Sequence, residues 1–397
     1  MTNPSLAPTP VQRLLSLDVL RGITIGFMIM VNNNGGPGSW GFMNHAVWNG
    51  LTATDLVFPT FVFVVGASVV FAFEARLARG ATRAQLAVHT VQRAAILFLL
   101  GIVVNGFPLF ELAHLRIYGV LQRIAVAYLV VGLFYLWDRR ASTKVVALVV
   151  ALVGYWVLLR WVPIPGAGMP GRDFPFMDQT QNLTSWLDRQ LMPHHLYLDW
   201  PGPGIADPHN RHDPEGFLSD LPAVGTALLG MLAGLWLRTQ RKVKVKVAGL
   251  AAFTLVCLGS GYLWSVWFPF NKNLWTSSFV LAAAGWSLTV FTLAFWAVEV
   301  QGWGKGPRGK GFAYPWLVLG SNAIVAYMFS ELVPSALEHI RFADGGKPSN
   351  VLAWIFKHGF AHIPSPGWAA FAYSAFTLAY CFIPVWILYR RRIFVKV

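Results

Sequence analysis

A short polar stretch between two apolar segments carries the residue types best suited to catalysis in this chain. Asparagines stand at positions 32–34, followed by His45, Asn49 and Asp55. An imidazole can act as a general base near neutral pH or can itself be acylated. A carboxylate can orient the imidazole, and an asparagine amide can stabilise an oxyanion. The pattern therefore predicts His45 as base or acyl carrier, Asp55 as its orienting partner and Asn32 as oxyanion donor.

Each of these residues also has a structural interpretation. His45 alone would only hydrogen-bond an interfacial loop, and Asn32 would satisfy carbonyls at the end of the first helix. Asp55 suits the first turn of the second helix, where an acid favours the helix dipole, so its two roles stay open. The clustering between apolar segments favours catalysis for His45, because unpaired polar groups are costly in a bilayer.

The segments that must position these residues have the composition of membrane-spanning helices. The chain of 397 residues is 55% hydrophobic and 12% charged, whereas soluble proteins are about 25% charged. Apolar runs of about 20 residues predict an all-α polytopic bundle of ten transmembrane helices. Their approximate ranges are 15–34, 54–75, 90–107, 116–137, 144–162, 218–238, 246–268, 276–299, 314–333 and 367–389. The apolar segment 351–360 is too short to span, which predicts a re-entrant or interfacial helix.

The distribution of charge predicts the topology. Basic residues concentrate in alternate loops, around 76–93, 139–144, 238–246, 305–310 and 390–396. By the positive-inside rule both termini are cytoplasmic and the His45 loop is extracytoplasmic. The net charge of +14 is then explained by topology and anionic lipid rather than by nucleic acid. We expect a disordered tail over 1–12 and one transmembrane domain over 13–397, with a long extracytoplasmic loop at 163–217.

Two pairs of charged residues predict a site for a phosphate-bearing cytoplasmic ligand. Asp18 and Arg21 lie three residues apart at the start of the first helix and can also pair with each other. Arg116 and Arg123 are seven apart, which places them on one helical face. Arg123, two turns into the fourth helix, needs an anion, either an acid such as Asp18 or the ligand. Arg116 can instead snorkel to the interface.

Further polar residues on the predicted outer side form a candidate substrate-binding set. Singly, each is also explained as a cap, a turn or an interhelical hydrogen bond. The set consists of Asn33, Trp48, Asn49, Asn271, Lys272 and Asn273. Walker and dinucleotide motifs are absent, and the two cysteines, Cys257 and Cys381, give neither a disulfide framework nor a metal site.

A series of motifs, in order along the chain, resembles the membrane part of heparan-α-glucosaminide N-acetyltransferases and their bacterial relatives. The motifs lie at residues 16–22, 31–33, 45–50, 54–59, 61–66, 119–123, 213–216, 271–275 and 389–394. The resemblance implies transfer of an acetyl group from cytoplasmic acetyl-CoA to a terminal glucosamine across the membrane. It implies His45 as the catalytic histidine and Asn32 as the active-site asparagine, although the spacing also admits Asn33 or Asn34.

The resemblance also implies the partners. These are coenzyme A, an amino-sugar or glycan acceptor and the bilayer of a bacterial inner membrane, with no nucleic acid and with a homodimer left open. The animal proteins place a lumenal domain before the bundle, and we expect this chain to lack it. We therefore expect free amino sugars, cell-wall fragments or surface glycans as acceptors. A transporter or flippase, or a scaffold for a biosynthetic complex, remains the alternative. The choice between a ternary complex and an acetyl-enzyme stays open.

Overall fold

A computed structural model describes residues 14–35, 38–197, 212–303 and 306–395. The tail expected over 1–12 lies outside these residues. Within them the chain forms thirteen α-helices and one two-stranded antiparallel sheet. The helices are α1 (Leu15–Asn32), α2 (Val57–Leu77), α3 (Arg83–Gly106), α4 (Val120–Trp137), α5 (Ala141–Trp161), α6 (Leu183–Leu191), α7 (Asp220–Leu237), α8 (Val243–Trp264), α9 (Ser277–Phe295), α10 (Gly306–Ser321), α11 (Ala323–His339), α12 (Val351–Gly359) and α13 (Pro366–Arg390). The strands are β1 (Arg341–Asp344) and β2 (Lys347–Asn350).

The lengths of these helices confirm a polytopic membrane bundle. In the described residues nine helices are long and apolar enough to cross a bilayer. Helices α10 and α11 are apolar enough only as a pair, and they meet at a 71° bend, which makes them a broken span or a re-entrant loop. Nine of the ten predicted segments therefore correspond to a continuous spanning helix of the described residues, and the chain is an integral membrane protein.

The bundle has a buried centre and a lipid-facing periphery. The most apolar windows of α1, α2, α7 and α9 are 67% buried within the protein, whereas those of α3 and α8 are only 22% buried. The centre is held by close helix crossings at glycines. A side chain at Gly66 would overlap the Ala227 carbonyl, and one at Gly230 would overlap the Phe63 carbonyl. Close backbone approach of this kind is how helices pack where lipid removes the hydrophobic driving force.

Among the helix starts that differ from the predicted ones, two are explained by side-chain contacts. The third helix begins at Arg83 rather than at 90, because Thr82 and Gln85 form a reciprocal capping box there. The fourth begins at Val120 rather than at 116, because the Asn105 amide donates to the carbonyls of Arg116 and Tyr118 and keeps that segment extended. Arg116 is therefore not helical, so the prediction that it shares a helical face with Arg123 was wrong. Arg123 lies one turn into the helix, not two.

The ninth span is broken rather than continuous. Asn322, at the break, donates through its amide to the carbonyl of Ile393 and accepts from the backbone N–H of Val395, so the end of the chain fills the bend. A transporter built from repeats is expected to contain a matched pair of such broken helices. Only one bent pair occurs in the part of the chain that the structure describes.

The loops at the His45 end contain a small amount of further structure. The segment 351–360 is the short helix α12, as predicted, and it follows the hairpin β1–β2, which the sequence did not predict. The long loop 163–217 carries α6, whose start is capped by Asn182. Residues 198–211 of that loop lie outside the described part.

Candidate active site

His45 and Asp55 form a close polar pair at the end of the bundle where α2 begins. Nδ1 of His45 lies 2.7 Å from Oδ1 of Asp55. The Asp55 side chain is fully buried, whereas the imidazole is 47% exposed. A carboxylate only accepts hydrogen bonds, so Nδ1 carries the hydrogen and Nε2 is left as the acceptor. This arrangement is what a general base needs: a fixed ring with an accessible lone pair.

Asp55 is itself held by the turn that precedes α2. Its second oxygen accepts hydrogen bonds from the backbone N–H groups of Ala46 (3.2 Å) and Thr52 (2.9 Å). The hydroxyl of Thr52 lies 3.0 Å from the same oxygen. One oxygen of Asp55 therefore holds the turn, and the other contacts His45, so these contacts are compatible with both roles that the sequence left open.

Lys272 lies beside Nε2 of His45, the ring nitrogen that does not contact Asp55. Its Nζ lies 3.3 Å from Nε2 of His45. Burial lowers the pKa of Lys272, an effect that the carboxylates of Glu215 and Asp55 oppose without cancelling. The sequence assigned Lys272 to the substrate-binding set, and the structure brings it directly to the candidate base.

The loop that carries Lys272 is rigid. Asn271 is buried, and its amide oxygen accepts from the backbone N–H of Leu274 at 2.8 Å. Trp275 has a positive φ of 53°, which is unusual for a bulky residue. Its ring is fully buried against Phe58 and Phe279, and its indole N–H donates to Thr226. Packing from several sides therefore holds the turn that aims Lys272 at His45.

The remaining members of the predicted substrate set lie around the same opening. The Asn271 amide donates to Oδ1 of Asn49 (3.1 Å), which ties the Lys272 loop to the His45 loop. Trp48 donates to the Met177 carbonyl in the long loop. Asn273, on the Lys272 loop, is half-buried. These contacts bring the three loops together into one surface at the His45 end.

The three asparagines at the end of α1 have different partners. Asn32 donates to Oε1 of Glu331 on α11, at 3.1 Å. Asn33 is occupied by its own helix, since its amide donates to the carbonyl of Ile29. Asn34 donates to Oδ1 of Asn44, next to His45, at 2.8 Å. Asn32 is exposed and uses one amide hydrogen on Glu331, so its second hydrogen is a candidate oxyanion donor.

Arg116 is neutralised by acids of the chain. It donates to both oxygens of Asp213, at 2.6 and 3.0 Å, and to Glu215. Burial disfavours its charge, but the two carboxylates raise its pKa above the ordinary value. Arg116 in turn keeps the pKa of Glu215 low although burial raises it. A guanidinium paired in this way has little capacity left for a ligand phosphate.

Arg123 is fully buried and is also satisfied by the protein. Its Nε donates to Asp220 at 3.0 Å, and its other nitrogens donate to the carbonyls of Pro214 and Gly216 and to the Ser219 hydroxyl. Its guanidinium lies 4.8 Å from the centre of the Trp275 ring. Of the two alternatives for its partner, an acid or a ligand, the structure supplies an acid. That acid is Asp220 rather than the suggested Asp18, which pairs with Arg21 at 3.1 Å.

A cavity of about 810 Å³ lies among α1, α2, α3, α4 and the bend between α10 and α11. Its inner wall is apolar and includes Met28, Phe61 and Leu121. It extends to Tyr327, and one helical turn further along lies Glu331. Asn32 lies one turn beyond Met28 in the same way, so the deep part of the cavity approaches the His45 end.

The opposite part of the cavity is basic. No acidic residue lines it among the described residues, and its lining includes Arg21, Arg76, Arg79, His89 and Arg93. We call this part, formed by these five residues, the arginine mouth. Arg93 stacks over the ring of Tyr128 at 5.0 Å, and its Nε is buried without a hydrogen-bond partner in the described part of the chain. A buried donor of this kind requires an acceptor, which a water or an anionic ligand can supply.

The sequence assigned four charged residues to one ligand site, and the structure places them in different surroundings. These residues are Asp18, Arg21, Arg116 and Arg123. Arg21 lines the cavity at the arginine mouth and donates to Asp18, Ser68 and the carbonyl of Gly320. Arg116 and Arg123 do not line it. They belong to the polar network under the His45 loop. Arg76, Arg79 and Arg93 entered the sequence analysis only as topology signals, and His89 was not singled out, although His89 and Arg93 share one face of α3.

Comparisons with known proteins match this chain to one family. A family model described as the catalytic part of heparan-alpha-glucosaminide N-acetyltransferase matches residues 13–267. The human heparan-alpha-glucosaminide N-acetyltransferase is 31% identical over 366 residues, which cover 81% of this chain and 53% of that protein. The mouse protein of the same name is 28% identical over 376 residues, or 83% and 55% of the two chains. The chain spans about half the length of the curated relatives it matches.

Proposed function

Since this chain belongs to the catalytic family of heparan-alpha-glucosaminide N-acetyltransferases, a family of acyltransferases, we propose that it moves an acetyl group from acetyl-CoA to the amine of an amino sugar. The donor binds in the cavity from the arginine mouth, which faces the cytoplasm. The acceptor binds at the His45 end, on the far side of a bacterial inner membrane. The observation that carries this proposal is the combination of a carboxylate-held imidazole with an arginine-mouthed cavity whose deep end lies one helical turn from Asn32 and Glu331.

The cavity suits the two parts of coenzyme A. The phosphates of the nucleotide carry several negative charges and match the basic lining of the mouth, where arginine forms strong charge-assisted bonds. The thin pantetheine arm matches the apolar inner wall. At about 810 Å³ the cavity falls within the range of roughly 300–1,000 Å³ typical of small-molecule sites. A thioester carried along this path would arrive near Asn32.

The chemistry follows from the roles that the geometry supports. The acceptor amine attacks the thioester carbonyl, and Nε2 of His45 takes the proton that the nitrogen loses. Asp55 holds the ring and stabilises the imidazolium. Asn32, oriented by Glu331, stabilises the tetrahedral oxyanion. The C–S bond then breaks, and the imidazolium returns the proton to the coenzyme A thiolate. Alternatively His45 is acetylated first, which rapid-quench trapping of an acetyl-enzyme would reveal.

The acceptor site follows from the surface around the base. Lys272 contacts the imidazole, and Asn271 joins the loop 271–273 to Asn49 in the His45 loop. We assign the acceptor to the surface formed by these residues with Trp48 of the same loop and Asn33 at the end of α1. Aromatic and amide side chains of this kind are suited to the faces and hydroxyl groups of a sugar. The direct test is incubation of the purified protein with radiolabelled acetyl-CoA and glucosamine. We expect acetylated sugar, and a complete absence of product with a range of amino sugars would contradict the proposal.

The arginine mouth predicts a specific loss of donor affinity. We expect Arg76→Gln combined with Arg93→Gln to weaken coenzyme A binding by at least tenfold, because a hydrogen bond to a charged group is worth about 1.5–3 kcal/mol. Isothermal titration of the detergent-solubilised protein measures this change. The matched control is Arg241→Gln, an exposed arginine that stacks on Trp236 and does not line the cavity. Equal affinity in the double variant and the control would contradict the assignment of the mouth.

Replacing Asn32 is expected to slow the chemical step. We expect Asn32→Ala to raise the barrier by about 2.7–4 kcal/mol, the usual cost of removing one oxyanion donor. The loss should appear in kcat with little change in KM for either substrate. Asn34→Ala, which removes the asparagine that contacts the His45 loop through Asn44, provides the comparison. A loss in Asn32→Ala well below tenfold, together with a larger loss in Asn34→Ala, would transfer the role to Asn34.

A further inference from the structure

Lys272 holds its side-chain nitrogen where the acceptor amine must stand. The general base must accept an N–H hydrogen bond at Nε2, and Nζ of Lys272 lies 3.3 Å from that atom. Nδ1 is committed to Asp55 at 2.7 Å. Nε2 is therefore the basic atom of this ring, and a primary amine of the protein already lies within reach of it.

The charged groups around Lys272 leave its side-chain nitrogen able to react as a nucleophile. The groups that face it electrostatically are Glu215, Asp55, Arg116 and Arg123, besides His45. It forms no ion pair with a carboxylate of the described residues. Burial lowers its pKa, so a larger fraction of Lys272 is the neutral, nucleophilic amine than for a lysine in water. The imidazole beside it is 47% exposed, which leaves room for a reacting group.

We propose that Lys272 is a self-acetylation site, modified by the enzyme's own donor when no acceptor is bound. The inference rests on the proposed function, because it requires an acetyl thioester at His45. The geometric basis is the juxtaposition of the Lys272 nitrogen and Nε2 of His45, on a turn that buried Trp275 makes rigid.

The step balances with the groups already named. The lone pair of the neutral Lys272 amine attacks the thioester carbonyl carbon while one of its N–H groups points at Nε2. The N–C bond forms, the C–S bond breaks and the proton passes to His45 and then to the thiolate. The products are Nε-acetyllysine at position 272 and free coenzyme A. No oxidant, reductant or further reactant is needed.

The product has a defined consequence for the enzyme. An amide is far less reactive than a thioester, so acetyl-Lys272 is not an intermediate that passes its acetyl group to a sugar. It removes the positive charge beside His45 and places a bulkier group over the base. Self-acetylation is therefore an inactivating side reaction. An acceptor amine that occupies Nε2 displaces Lys272 and protects the enzyme.

The test uses the full-length protein in lipid nanodiscs, incubated with isotopically labelled acetyl-CoA without acceptor and digested for peptide mass spectrometry. We expect label at Lys272 in the wild type, slower labelling when glucosamine is added, and loss of this label in both His45→Ala and His45→Gln. Lys242 and Lys244, exposed at the N-terminal end of α8, report uncatalysed acetylation and should be labelled equally in all variants. Lys272→Arg confirms the site, because a guanidinium carries the charge but takes no label.

Each outcome has a distinct meaning. Label at Lys272 that depends on His45 and is suppressed by acceptor supports the inference. Equal labelling of Lys272 in wild type and His45→Gln would overturn it, since the reaction would then be ordinary chemical acetylation. An unlabelled Lys272 in a preparation that acetylates glucosamine would overturn it too, while leaving the proposed function intact. Absence of both acetyl-lysine and acetylated sugar would overturn the proposed function and this inference together.

Discussion

Replacing His45 by alanine is expected to reduce acetyl transfer by about 10²–10⁴-fold while leaving coenzyme A binding unchanged. The imidazole is the group whose Nε2 can take the proton of the attacking amine, and Asp55 is committed to orienting it. The basic residues of the arginine mouth, which we propose hold the nucleotide, lie at the other end of the cavity. This single variant should therefore lose the catalytic base and keep its affinity for coenzyme A.

The measurement is the initial rate of acetylated sugar formation, together with a coenzyme A titration of the same preparation. His339→Ala is the matched control, because His339 is an exposed histidine at the end of α11 whose Nδ1 contacts only the Ser335 carbonyl of its own helix. We expect the control to keep the wild-type rate. Wild-type rates in His45→Ala would remove His45 from the mechanism and with it the proposed chemistry.

Replacing Arg123 by alanine is expected to destabilise the protein by about 3–5 kcal/mol, the usual cost of breaking a buried ion pair from one side. Arg123 is fully buried, and Asp220 would lose its 3.0 Å partner. The carbonyls of Pro214 and Gly216 would lose their donors as well. The sequence assigned Arg123 to donor binding, whereas its contacts in the structure favour a role in holding α4 to the start of α7.

Thermal unfolding in detergent, with and without coenzyme A, distinguishes these two roles. We expect a lower midpoint in Arg123→Ala but the same ligand-induced increase as in the wild type. The double variant Arg123→Met with Asp220→Asn should recover part of the loss, because it removes the unpaired charge together with its partner. An unchanged midpoint combined with loss of the coenzyme A response would return Arg123 to the donor site.

The sequence predicted the bundle well because the bilayer imposes a local rule. Each span must be about 20 apolar residues long, and that property can be recognised in a single window of sequence. The boundaries of α3 and α4 were less accurate, since they depend on the Thr82 capping box and on the reach of Asn105 to Arg116. The hairpin β1–β2 was missed because its strands are only four residues long and mostly exposed.

For the candidate site, the sequence allowed a contact to be predicted where the two residues are close along the chain. His45 and Asp55 are ten residues apart, and the turn between them brings them together. It did not predict that Lys272 would contact His45, because those two residues are 227 apart and meet only through the packing of the Trp275 turn. The same holds for Arg116 and Arg123, whose acidic partners Asp213 and Asp220 are each 97 residues away.

By itself, the sequence determined that this is a polytopic helical membrane protein with a histidine and an aspartate at one end of the bundle. The length of an apolar run and the order of the motifs are properties of short segments, so they can be recognised without knowledge of the fold. Only the tertiary structure decided which arginines face a cavity and which are neutralised inside the protein. A charge is free for a ligand or already satisfied according to the acids that distant helices bring to it, and that pairing is fixed by packing.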